Sequence, residues 1–115
     1  MIACYSLEEL KSTLSRPKCL VIFSSSWTCE VKSTNRLISA LTANHPKITI
    51  AMVDIDSVPE ALARYDVWAI PTFELFHDGT LLKKVEGCPE AEIAEAVREL
   101  DELASTREEL SIKSD

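Results

Sequence analysis

Glycine is scarce in this 115-residue chain: there are two, Gly79 and Gly87, against five prolines. With 46% of residues hydrophobic, that scarcity argues for one compact globular domain over disorder. Long apolar runs are missing as well. None approaches the ~18 residues that a membrane-spanning helix needs, and the opening MIACYSLEEL has neither a basic start nor an apolar signal segment. The setting expected from this is intracellular, reducing and cytoplasmic. Positive charge is in short supply: 12 Lys and Arg face 19 Asp and Glu, for a net charge of −7. Nucleic acid and anionic membrane surfaces, both held through basic patches, are therefore not expected as partners. Much of the acidity falls on the last helix and reads as a solvated face. Histidine is limited to His45 and His77, and the cysteines (Cys4, Cys19, Cys29, Cys88) are 15, 10 and 59 residues apart. That matches no zinc pattern, so no metal or other cofactor is expected. In a reducing compartment the four cysteines read as thiols, not as a disulfide framework.

What is present alternates strand and helix. Residues 2–5 suit a short edge strand. Ser6-Leu7-Glu8-Glu9 is a capping box, in which the serine oxygen accepts from a first-turn amide and Glu9 reaches back. Leu7, Leu10 and Leu14 give the helix an apolar side, and Arg16-Pro17 ends it. KCLVIFSS is a continuous β-favouring run, as in a strand buried on both faces. From Glu30 to about Asn44 the pattern is helical, with Leu37, Ile38 and Leu41 on one side. His45-Pro46 breaks that helix, ITIAMVDID makes a second buried strand, and VPEALARY opens a short helix. TFELFH alternates apolar and polar residues, Asp78-Gly79 turns the chain, and TLLKKVE returns. Pro89 then opens a helix expected to carry Ile93, Val97, Leu100 and Leu103 inward. The order β-α-β-α-β-α-β-β-α predicts an α/β fold, a mixed four- to five-stranded sheet with helices on both faces. The domain is expected over residues 1–104, with 105–115 a charged extension, exposed or frayed.

Four stretches in order, VIFSSSW leading to Lys32, MVDID, YDVWAIPT and LFHDGTLLKKVEG, carry a resemblance to the thioredoxin family that covers about residues 5 to 100. The resemblance implies a thioredoxin-like fold. It also implies that Pro71 is the cis proline that faces the active site and offers backbone hydrogen bonds to an extended peptide. Gly79 would occupy the hairpin, and Gly87 would leave room beside the bound peptide.

The family's reactive motif, Trp-Cys-x-x-Cys-Lys, does not carry over. Here the six residues are Trp27-Thr28-Cys29-Glu30-Val31-Lys32. With Trp27 and Lys32 in register, Thr28 stands at the attacking cysteine and Val31 at the resolving one. A one-residue slip would give Cys29 the attacking role. It would also displace Leu37, Ile38 and Leu41 from matching apolar positions and leave Lys32 as the resolving residue. The buried aspartate and its lysine partner in the family correspond to Ile22 and Met52. Replacing a costly buried charge and its partner with apolar groups is expected once that charge no longer serves catalysis; a better core explains it equally well.

Cys29 falls in the first turn of its helix, where amide groups favour a thiolate, with Lys32 adding to that effect and Glu30 opposing it. Cys88 is expected to cap the last helix at the Pro71 end of the sheet. Cys4 and Cys19 read as inert core thiols. Thr28 has no base nearby for nucleophilic catalysis. These readings favour a non-catalytic module that binds a protein or extended peptide in a groove around Trp27, Trp68, Ile70, Pro71 and Gly87. The alternative is a monothiol oxidoreductase acting through Cys29, resolved by glutathione, Cys88 or another thiol. A third reading has the acidic extension docking the domain in a larger assembly.

Overall fold

A computed structural model of the chain describes residues 1–25 and 31–104, with residues 31–33 described in backbone only. Nine elements follow the expected order. They are β1 (Ile2–Cys4), α1 (Leu7–Thr13), β2 (Lys18–Ser24), α2 (Val31–Asn44), β3 (Thr49–Asp54), α3 (Ala61–Arg64), β4 (Thr72–His77), β5 (Thr80–Glu86) and α4 (Glu90–Glu102). The charged extension expected over 105–115 lies outside the described residues.

The five strands form one mixed sheet in the order β1-β3-β2-β4-β5. β1, β3 and β2 run parallel, and β4 and β5 run antiparallel to their neighbours. β2 is central, and every one of its residues is buried. Alternation divides its side chains between two cores. Leu20 and Ile22 meet Leu37, Ile38 and Leu41 of α2 and Ile93, Val97 and Leu100 of α4. Cys19, Val21 and Phe23 point the other way, into a layer with Leu10 of α1 and Ala61 of α3. Tyr65, just past α3, closes that layer against Phe23 and Phe76.

The local signals act through specific groups. The Ser6 oxygen accepts from the Glu9 amide at 3.1 Å, while the Glu9 carboxylate accepts from the Tyr5 amide at 3.1 Å, one residue further out than the usual box. Asp78 and Gly79 both have positive φ (49° and 83°), the geometry of a type I′ hairpin turn. Lys18, buried at the start of β2, donates from Nζ to the Asp101 carbonyl at 2.7 Å. His45 Nδ1 meets Asp101 Oδ2 at 2.7 Å. These contacts tie the end of α4 to β2 and to the end of α2.

Two expectations need correction. Leu103 does not face inward. α4 ends at Glu102, and Leu103 takes an extended backbone that leaves it 41% exposed. Cys88 does not cap α4: Pro89 is the N-cap, and Cys88, one residue earlier, packs against the larger core. Glu74, the polar position of TFELFH, is 1% exposed, in keeping with a sheet expected to be covered on both faces.

Candidate functional site

The candidate groove lies where the loop after α3 enters β4. The Ile70–Pro71 peptide is cis. Thr72 is fully buried, and its hydroxyl donates to the Ala69 carbonyl across the bend. Gly87, at the end of β5, donates its N–H to the Pro71 carbonyl at 2.8 Å, which brings residues 87 and 88 beside the proline. Gly87 has φ +79°, and a Cβ there would meet nothing within 4 Å. Glycine is favoured at this position by its backbone angle, since the space beside it is open. Ile70 packs against the second core. Among the described residues no backbone group bonds to the N–H or C=O of Ile70.

Trp68 stands out from this loop at 79% exposure. Its indole N–H donates to Asp66 Oδ1. Asp66 sits at φ 55°, a left-handed angle that aspartate tolerates better than most residues. The indole N–H and then the Lys84 ammonium hold the Asp66 carboxyl below the usual carboxylate range. Lys84, on β5, donates to both the Asp66 carbonyl and Oδ2, the latter at 3.1 Å.

The motif loop has less to report. Trp27, Thr28, Cys29 and Glu30 lie outside the described residues, as do the side chains of Val31 and Lys32. The ends of that segment are placed. β2 delivers the chain to Ser25, whose hydroxyl donates to Asp56 at 2.7 Å, and α2 begins at Val31. On β2, Ile22 is fully buried and pairs in register with Met52. Met52 lines a cavity of about 330 Å³ at the carboxyl ends of the parallel strands, together with Tyr5, Ser24, Thr34 and Asp54. At neutral pH a lone carboxylate at position 22 would have no cation opposite it.

Of the other thiols, Cys4 and Cys19 are fully buried. Burial pushes the Cys4 thiol up, only partly offset by its contact with the Thr13 hydroxyl at 3.7 Å. The Cys19 thiol donates to the Thr13 carbonyl. Neither is presented as a nucleophile. Among the described residues no cluster of His, Cys, Asp and Glu could hold a metal ion.

The family model for thioredoxin matches residues 2–99. The chain belongs to the thioredoxin family. A thioredoxin of Chlamydia trachomatis is 33% identical over 87 residues, covering 76% of this chain and 85% of that protein. Thioredoxin-1 of Caenorhabditis elegans is 31% identical over 77 residues, 67% of each. The structure of mitochondrial thioredoxin 3 of Saccharomyces cerevisiae superposes with a TM-score of 0.82 at 23% identity, covering 87% of this chain and 95% of that one. For a thioredoxin-family chain the cysteine content is unusual: with cysteines at 4, 19, 29 and 88, no two are three residues apart.

Sequence reasoning passed over three residues that the fold gathers beside the groove: Asp66, Glu74 and Lys84. Only Glu74 left a signal, a carboxylate in a strand expected to sit in a sheet covered on both faces.

Proposed function

We infer that this chain is a thioredoxin-family binding module that receives an extended segment of a protein partner in the groove of Trp27, Trp68, Ile70, Pro71 and Gly87. The observation that carries this reading is the backbone of Ile70. Its N–H and C=O have no backbone partner among the described residues, and they lie between an exposed tryptophan and the cis peptide. Unpaired main-chain groups beside an aromatic anchor suit an extended peptide: the backbone supplies affinity and the side chains selectivity. Loss of dithiol turnover fits Thr28 and Val31 at the two reactive positions and the apolar Ile22–Met52 pair at the positions of the family's buried charges. A reducing, cytoplasmic setting suits such a module, and no helix among the described residues is long and apolar enough to cross a membrane.

Insulin disulfide reduction, set beside titration of an extended-peptide library, tests the reading. Expected are no turnover above that of the Cys29→Ser variant, and peptide binding that Trp68→Ala weakens by at least tenfold. Turnover that disappears with Cys29→Ser would reverse the assignment.

That second outcome corresponds to a monothiol reading, which the presence of a cysteine, Cys29, within the six-residue stretch Trp27–Lys32 supports. There the Cys29 thiolate attacks a disulfide sulfur and forms a mixed disulfide, and the other sulfur leaves as a thiolate. Glutathione thiolate then attacks the mixed disulfide and returns Cys29. Mass spectrometry of the protein with oxidised glutathione, with Cys88→Ser as control, reads the intermediate directly.

A further inference from the structure

Glu74 lies in the middle of β4 at 1% exposure, and its Oε2 has no hydrogen-bond partner among the described residues. An ionised carboxylate in such a place requires a compensating cation. Strand pairing sets two residues directly opposite it: Val21 on β2 and Lys84 on β5. Lys84 is engaged elsewhere, on the carbonyl and carboxylate of Asp66, which in turn accepts the indole N–H of Trp68. One ammonium group is therefore bonded to Asp66, which positions the exposed tryptophan of the groove, and acts on Glu74 through its charge alone.

We propose that Glu74 is a proton sensor for the groove: while it is neutral, Lys84 and Asp66 hold Trp68 beside the cis peptide, and its ionisation draws Lys84 away and releases Trp68. The proposal rests on the groove being the binding surface and adds the control of that surface. The proton passes from the Glu74 carboxyl to solvent, and no other bond is made or broken covalently.

The two carboxylates differ in what water can do for them. Asp66 is 74% exposed, so hydration replaces Lys84 when the ammonium leaves. Glu74 has no such substitute, and this asymmetry gives the exchange its direction. Burial pushes the Glu74 carboxyl up to about 7, with Lys84 pulling it down and Asp66 pushing it up. The exchange therefore falls near neutrality. The charged groups on this face of the sheet are Lys84 and Glu86 of β5 and Asp66 after α3. Tyr65 and the Cys4 and Cys19 thiols are titratable groups in the core layer on this face, and Glu9 of α1 acts on Cys4. α4 covers the opposite face with apolar side chains.

The test is the ¹⁵N–¹H resonance of the Trp68 indole in the free protein, assigned with Trp68→Phe and followed across neutrality. Expected is a titrating shift in the unmodified chain that Glu74→Gln abolishes, leaving the resonance at its low-pH position. Lys84→Met, which removes the shared cation, should uncouple the indole from Glu74. A flat indole resonance in the unmodified chain, or an unchanged titration in Glu74→Gln, overturns the proposal. Should Glu74→Gln fail to fold, the side-chain ¹³C titration of Glu74 in the unmodified chain replaces it, and a midpoint differing from that of the indole overturns the proposal. No groove ligand is used, so failure to bind any peptide would remove the groove reading and leave the indole titration standing.

Discussion

Exchanging Glu74 for glutamine keeps the shape of a fully buried side chain and removes its titration, so the pH dependence of stability isolates one carboxyl. In the folded chain burial pushes that carboxyl from 4.5 up to about 7. Between those values the unfolded chain has lost the proton and the folded chain still holds it. Raising the pH through this window therefore favours unfolding, and the contribution present at low pH is gone once the pH passes about 7. At about 1.4 kcal/mol per unit of pH, the window from 4.5 to about 7 corresponds to about 3–4 kcal/mol. Urea unfolding of both proteins at a series of pH values measures it, because every other titrating group is common to the two and cancels in the difference. The stability of the unmodified chain relative to Glu74→Gln should fall by about 3–4 kcal/mol between acid and mildly alkaline pH. It should level off above neutrality. A difference that stays flat, or that rises with pH, would refute the burial argument and show that Glu74 is ionised with a satisfied partner.

Ser6→Ala removes the acceptor of the Glu9 amide and should cost about 1 kcal/mol in the same urea assay. Gly87→Ala forces a side chain onto a φ of +79° with open space around it. It should lower stability by about 1–2 kcal/mol from backbone conformation alone, read by thermal unfolding. Ile22→Asp places a carboxylate in a fully buried position opposite Met52. It should cost about 3–5 kcal/mol at neutral pH, and the double variant Ile22→Asp/Met52→Lys should recover part of that loss. A coupling energy of zero in that cycle would show that positions 22 and 52 do not interact.

Most of the architecture could be read from the chain, because the strongest signals are local. The all-buried KCLVIF run becomes the central strand, and the Asp78-Gly79 pair takes the two positive φ angles a tight hairpin needs. Ser6 and Glu9 cap α1 as a four-residue pattern predicts. Leu103 shows where periodicity ends: a fourth apolar residue in the series cannot face inward once the helix has stopped.

The sequence by itself determined the order of elements, the two cores and the identity of every group at the reactive positions. Thr28, Cys29 and Val31 stand where they do whatever the chain folds into. Burial and partnership were decided only by the tertiary structure. Glu74 alternates in TFELFH like a surface residue, and it is buried because it shares the face of Val21, which the layer of α1 and α3 covers. Asp66 and Trp68 share the loop after α3, and only the return of β5 alongside β4 brings Lys84 to them. A strand's own pattern gives the two faces of a sheet. What covers each face, and which cation a buried carboxylate must share, depends on contacts between residues distant in the chain.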